Sequence, residues 1–224
     1  MKTIKILALI TLCALAACAS SAVTALRDTT FTSSSMSSLA CMPFVRGNRC
    51  LDASAGGDAF LDCRFSALSY SPEFYAPGAL QEISAVLHEE LRKKYGQTVK
   101  DYSAGVSVFE TIVLRNPDKT LRALASAFGG ELGAEYVVVG VLDSYIDRVG
   151  SARGISSPAS VTFRLYIIHA PTGSTVFEGT FSETQQALTE NILKAPSFFR
   201  RGARWLSAEE LSREGIRRIL ADIP

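Results

Sequence analysis

The chain has 224 residues, a formal net charge of +1 and 20% charged side chains. This length suffices for one domain with a sizeable hydrophobic core. The charge is balanced and no long basic run occurs, so the chain lacks the positive field that attracts phosphate backbones, and we expect no nucleic-acid partner.

The first residues have the layout of a lipoprotein signal peptide. Lys2 and Lys5 precede an apolar run, an order typical of secretory signals, and the run is too short to span a bilayer comfortably. It ends in LAAC at 15–18, the pattern of a bacterial lipobox. We therefore predict that residues 1–17 are removed and that Cys18 carries diacylglycerol and an acyl chain such as palmitate. The alternative is an ordinary signal peptide in which Cys18 is incidental.

The residue after Cys18 bears on location. It is Ala19 rather than Asp, and the sorting rule of well-studied Gram-negative bacteria then permits transport to the outer membrane. Since acyl chains anchor a protein firmly, we expect an outer-membrane lipoprotein whose domain faces the periplasm.

Residues 18–58 are predicted to combine a Ser/Thr-rich tether with an irregular, cysteine-containing lobe. The stretch TTFTSSSMSS at 29–38 is polar and of low complexity, and such segments bury too little apolar surface to fold alone. Cys41 and Cys50 enclose a short loop rich in turn formers, which favours a disulfide between them, with free thiols as the open alternative. Scattered cysteines without nearby histidines lack the spacing of a zinc site.

Residues 59–224 are predicted to form one α/β domain. Alternating apolar residues at 59–70 indicate a strand, and a weaker strand is expected between 98 and 114. A helix begins at Pro77 and ends at Gly96 with a 3.6-residue apolar stripe, and a second helix covers 116–133. On the first helix, Glu89, Glu90, Arg92 and Lys93 are expected to face water.

The second half of the chain predicts an antiparallel meander over 135–184. AEYVVVGVLDSYI is a nearly continuous β-branched and apolar run, typical of a central strand, and two alternating segments follow around a Pro171–Gly173 turn. Helices are predicted near 185–194 and at 207–223, the latter starting with a capping box. The predicted fold is an α/β (α+β) sandwich, a mixed sheet with helices packed on its faces.

The segments LGAEYVVVGVL and SPASVTFRLYIIHAPTGSTVFEG, with Gly133, Gly140 and Gly173, resemble the core of the TolB amino-terminal-domain-like superfamily of bacterial envelope lipoproteins. The resemblance covers roughly residues 60–220. The superfamily includes lipoproteins of the LpoB, PelC and CsgG type, so the resemblance implies a non-enzymatic accessory or assembly factor of an envelope machine. This chain has no spare segments that resemble the membrane-inserting hairpins of the CsgG type.

The family does not fix the function, because one fold supports several. We expect an oligomeric collar for the export of polysaccharide or protein, of the PelC or CsgG type. The alternatives are a monomeric adaptor of the LpoB type that activates a peptidoglycan synthase and, third, a module that binds a small ligand or glycan.

Catalytic chemistry has little support in the sequence. The chain has two histidines. His88 is followed by Glu89 and Glu90 on a predicted helix, so we expect its side chain to be solvated. His169 ends a predicted strand just before Pro171, so we expect it to face the turn. No nucleophile elbow, zinc-protease motif or phosphate loop occurs. We expect no catalytic residues, no metal and no cofactor.

Two surfaces are candidates for binding an envelope protein partner or another copy of the chain. The segment from Phe198 to Trp205 interleaves aromatic residues with arginines, a composition found at interface hot spots. The loop DRVGSARGISSPAS is the other. The residues proposed for partner binding are Phe198, Phe199, Arg200, Arg201, Arg204 and Trp205, with Arg148 and Arg153 in the loop.

Overall fold

The structure, a computed structural model, describes residues 22–47, 49–51, 60–152, 154–185 and 204–224. Its helices are α1 (Ala79–Tyr95), α2 (Tyr102–Arg115), α3 (Leu121–Leu132) and α4 (Ala208–Ala221). Its strands are β1 (Ala22–Leu26), β2 (Leu39–Cys41), β3 (Val45–Arg46), β4 (Arg49–Cys50), β5 (Leu68–Ser69), β6 (Tyr136–Ile146), β7 (Val149–Gly150), β8 (Ile155–Ser157), β9 (Ser160–His169) and β10 (Ser174–Thr184). Within those ranges, none of the helices has the length and apolar character needed to cross a bilayer.

The main sheet is mixed, as predicted. Its neighbour order is β1-β10-β9-β6, and β2 and β3 follow one another along the outer side of β6. Strands β1, β10, β9 and β6 pair antiparallel, whereas β2 and β3 run parallel to β6. The predicted meander over 135–184 is therefore confirmed, and its long central strand β6 is paired on both sides.

Helices cover both faces of this sheet. One core contains the buried stripe of α1 (Ile83, Leu87 and Leu91) together with apolar residues of α4. The other contains Leu124 and Phe128 of α3. Because successive side chains of β6 alternate between these two cores, a strand that reads as continuously apolar is buried on both faces. The predicted α+β sandwich is confirmed.

Gly140, one of the glycines in the resembled pattern, has a packing role. A Cβ atom at this position of β6 would lie 2.6 Å from the ring of Phe44. The ring of Phe44 itself meets Phe163 edge-on at a centroid distance of 5.9 Å. Glycine is thus required here because the Phe44 ring packs directly against the backbone of the central strand.

The amino-terminal segment differs from the predicted tether. Residues 22–26 form edge strand β1, and within 29–38 Phe31 and Met36 are buried in the core. The backbone N–H of Ser33 donates to the carbonyl of Pro224 over 2.5 Å. Two apolar side chains dock this polar stretch, so residues 22–46 belong to the same fold as the rest, and the predicted domain boundary near residue 58 is wrong.

Two predicted strands are also wrong. Residues 60–67 form turns and a short 3-10 helix, and only Leu68–Ser69 are extended. Residues 102–115 form helix α2, whose N-cap Asp101 accepts a hydrogen bond from the N–H of Ala104 over 3.0 Å. The Asp101 cap and the packing of α2 against α3 favour the helix over the predicted strand.

The predicted Cys41–Cys50 disulfide is replaced by another pair. Cys50 is bonded to Cys63, with their Cα atoms 5.9 Å apart. Cys41 is a free, buried thiol in β2. The reason is geometric: pairing with β6 places Cys41 in the core, while β4 pairs with β5 and brings Cys50 to the segment that holds Cys63. The bridge joins β4 to the segment that precedes β5.

Candidate functional site

The structure describes only part of the surface predicted for partner binding. Arg148, Arg204 and Trp205 lie within the described residues. The remaining predicted residues, Arg153, Phe198, Phe199, Arg200 and Arg201, lie outside them, as do the lipidation residue Cys18 and the helix predicted near 185–194.

The two predicted surfaces meet in the folded protein. The backbone N–H of Trp205 donates to the carbonyl of Ala152 over 2.9 Å, and the guanidinium of Arg148 donates to the carbonyl of Trp205. The β6–β9 connection and the segment that leads into α4 therefore form one continuous patch, which we name the loop–Trp205 surface: Arg148, Ala152, Arg204, Trp205 and Glu210.

One acidic group of the chain itself, the carboxylate of Glu210, pairs with both described arginines of this surface. Glu210 lies 2.6 Å from the guanidinium of Arg204 and 3.7 Å from that of Arg148. Burial opposes the ionisation of Glu210, but hydrogen bonding from the Ser207 backbone and from Arg204 lowers its pKa. Because each arginine has an internal partner, the described part of this surface offers Trp205 and paired charges rather than a free cationic site.

The same contacts fix the start of helix α4. Ser207 and Glu210 form the predicted capping box, with Ser207 Oγ accepting from the Glu210 N–H over 3.1 Å and Glu210 Oε2 accepting from the Ser207 N–H over 2.9 Å. Asp147, next to Arg148, accepts from the N–H of Ala208 over 2.8 Å. The loop–Trp205 surface is therefore joined to α4 through backbone hydrogen bonds, which gives it a defined geometry.

A second charged cluster lies between α1 and α4. Glu90, predicted to face water, is only 5% exposed. Its carboxylate accepts from Arg217 Nε over 2.7 Å, from Arg213 over 2.8 Å and from Lys93 over 3.1 Å. Burial alone would raise the pKa of Glu90, but these hydrogen bonds lower it to about 2. Sequence reasoning missed this cluster because both arginines come from the other end of the chain.

The histidines have structural surroundings. His88 lies 3.3 Å from the carbonyl of Lys100 and its ring stacks at 5.0 Å on Tyr102. Nδ1 of His169 lies 2.9 Å from Thr172 Oγ1 in the β9–β10 turn. His88 is thus packed rather than fully solvated as predicted, whereas His169 lies at the turn. In the described ranges, no group of three or more His, Cys, Asp or Glu side chains converges to hold a metal ion.

No protein-family model matches the chain, and no curated protein matches its sequence. Several solved structures are similar to it. The PelC dodecamer from Paraburkholderia phytofirmans aligns with a TM-score of 0.49 and 10% identity over 89% of this chain and 96% of that chain. Lipoprotein GNA1162 from Neisseria meningitidis aligns with a TM-score of 0.40 and 10% identity, over 74% and 96% of the two chains.

The LpoB C-terminal domain from Escherichia coli is a further similar structure, with a TM-score of 0.37 and 13% identity over 70% of this chain and 90% of that chain. The similar structures thus include a lipoprotein. At these identities the likeness concerns the path of the chain and assigns no activity to it.

Proposed function

We propose that this chain is an outer-membrane-anchored lipoprotein that acts as a non-enzymatic accessory factor of an envelope machine, in the form of an oligomeric collar for export of polysaccharide or protein. The lipobox at 15–18 and Ala19 support the anchor and its location. The superfamily resemblance of residues 60–220 supports the accessory role.

The observation that carries the proposal is the short distance between the anchor and the fold. Strand β1 begins at Ala22, four residues after Cys18. Since an extended chain spans at most about 3.5 Å per residue, this link reaches at most roughly 14 Å. A lipidated Cys18 would therefore hold the domain against the membrane surface.

A membrane-proximal domain suits a collar better than an adaptor. An adaptor that activates a peptidoglycan synthase must reach across the periplasm, and the stretch 29–38, predicted as a tether, is docked on the fold through Phe31 and Met36. Strand β1 also lies at the end of the described main sheet. An edge strand presents backbone donors and acceptors to another chain, and a repeated contact between unlike surfaces forms a closed ring when the rotation between neighbouring copies closes.

The collar is tested by the native mass. Light scattering is measured on residues 19–224, which include every described residue, and on the lipidated protein in detergent. A closed oligomer in either preparation supports the collar. A monomer in both preparations contradicts it and favours the adaptor.

The anchor is tested separately by cell fractionation. Cys18→Ala is expected to release the protein from membranes, because no acyl chain can be attached. The matched variant Ala19→Asp keeps the cysteine and is expected to move the protein to the inner membrane. A Cys18→Ala protein that stays in the membrane fraction would overturn the lipid anchor.

A further inference from the structure

A cavity of about 300 Å³ opens at the edge of the main sheet, beside β3. This size is at the lower end of the range for small-molecule sites. Its lining is mostly apolar and aromatic, and Arg46 is its charged member among the described residues. The apolar lining residues include Phe44, Phe65, Leu68, Leu80 and Phe109.

The fold explains why a cavity forms at this place. Strand β3 pairs with β6 on one side only, within the described residues. Leu80 of α1 lies over one face of the sheet and Phe109 of α2 over the other. The two helix layers therefore extend beyond the last strand and leave a gap between them, which Phe65 and Leu68 close only in part.

Among the described residues, Arg46 has no anionic partner at this cavity. Its guanidinium carbon lies 5.1 Å from the ring centroid of Tyr70 and 5.7 Å from that of Tyr75. Its Nε is buried and has no hydrogen-bond acceptor in the part of the chain that the structure describes. Arg46 also lines the cavity, so its guanidinium is positioned to pair with an anionic group that enters there.

The carboxylate of Asp143 is already paired with an arginine. Asp143 accepts from Arg164 Nε over 3.0 Å, and Arg164 in turn lies over the ring of Phe60. Arg46 is therefore oriented by aromatic rings and not neutralised by a carboxylate of the described residues. Arg49, in β4 opposite Ser69, adds a second positive charge next to the segment that lines the cavity.

Two exposed apolar residues adjoin the segment that lines the cavity. Tyr70, itself a lining residue, is 43% exposed, and Leu51 is 68% exposed. The N–H of Leu51 donates to the carbonyl of Ala67 over 3.0 Å, which places Leu51 beside the lining segment 65–70. Clustered exposed apolar residues of this kind mark binding sites.

We propose that this cavity binds a small carboxylate that carries an apolar chain or ring, with the carboxylate paired to Arg46 and the apolar part between Phe65, Leu80 and Phe109. A planar guanidinium matches a carboxylate in charge and geometry. The apolar walls exclude a sugar or a free phosphate, because either ligand needs several polar partners when it is buried. A cationic ligand would be repelled by Arg46.

The first test uses the unchanged protein and two probes of similar shape. Isotope-labelled residues 19–224 with the Cys50–Cys63 disulfide intact are titrated with 3-phenylpropionate and with 3-phenylpropanol, and amide chemical shifts are followed. We expect saturable shifts centred on residues 44–46 and 65–70 and on Leu80 and Phe109, with the alcohol at least tenfold weaker. Equal binding of the acid and the alcohol, or shifts centred elsewhere, would overturn the proposal.

The second test uses variants. Arg46→Leu is expected to reduce affinity for 3-phenylpropionate at least tenfold, while Arg115→Leu, an exposed arginine at the end of α2, leaves it unchanged. Leu68→Trp, which fills the cavity and keeps the charge, should abolish binding of both probes. Full affinity in Arg46→Leu would contradict the assignment. If that variant does not fold, the comparison of acid with alcohol still decides. The protein used lacks Cys18, so neither result depends on the membrane anchor.

Discussion

Replacing Glu90 by Gln tests whether the buried carboxylate between α1 and α4 stabilises the fold. The pKa of Glu90 is lowered from 4.5 to about 2, which corresponds to roughly 3 kcal/mol at about 1.4 kcal/mol per unit. Its partners Arg217 and Lys93 are 57% and 52% exposed, so water screens the interaction. We therefore expect Glu90→Gln to reduce the free energy of unfolding by about 1–2 kcal/mol at pH 7.

The effect of this substitution should depend on pH, because the pKa of Glu90 differs between the folded and the unfolded protein. Because the folded pKa of Glu90 lies below the unfolded value, its ionised form stabilises the fold above pH 4.5, and this contribution is lost as the pH falls toward 2. Glutamine imitates the protonated carboxyl. The difference in stability between the wild-type protein and Glu90→Gln should therefore narrow between pH 4.5 and pH 2.

Urea unfolding followed by circular dichroism at several pH values measures this difference. Glu89→Gln is the matched control, since Glu89 is the adjacent residue and shares the partners Lys93 and Arg213 but is 46% exposed. It should change stability less than Glu90→Gln does. Equal losses in the two variants at pH 7, or a Glu90 effect that does not vary with pH, would refute the reasoning.

Four further predictions concern other contacts. In residues 19–224, the Cys41 thiol should react with a thiol reagent when the protein is denatured but not when it is native, because burial raises the pKa of Cys41 to about 12. Replacing both Cys50 and Cys63 by Ser removes the disulfide and should reduce the free energy of unfolding by about 3 kcal/mol. Gly140→Ala should reduce stability by about 1–3 kcal/mol in urea unfolding, since its methyl group would lie 2.6 Å from the Phe44 ring; unchanged stability would show that the ring can move away. Arg148→Ala removes the hydrogen bond to the Trp205 carbonyl and should reduce the free energy of unfolding by about 1–2 kcal/mol, measured by thermal unfolding. A lower native mass with unchanged stability would instead place this surface in a subunit contact.

Local sequence patterns determined the elements whose signals are contained within one segment. The apolar stripe of α1, the Ser207–Glu210 capping box of α4 and the alternating residues of β9 and β10 each specify a backbone geometry within a few residues. The lipobox, likewise, is read from four adjacent residues. These signals sufficed for the sheet-and-helix architecture and for the expected anchor.

Only the tertiary structure decided which distant segments come together. Strand β2 pairs in parallel with β6 across a sequence separation that no local pattern records, and this pairing buries Cys41 and leaves Cys50 to bond with Cys63. Glu90 is buried because arginines of α4 pack over it. Arg46 lines a mostly apolar cavity because, among the described residues, no strand pairs with the second side of β3, while Leu80 of α1 and Phe109 of α2 lie over the two faces of the sheet. The type of a residue does not predict its tertiary contacts, since its burial and its charge pairing depend on which distant segments of the chain pack beside it.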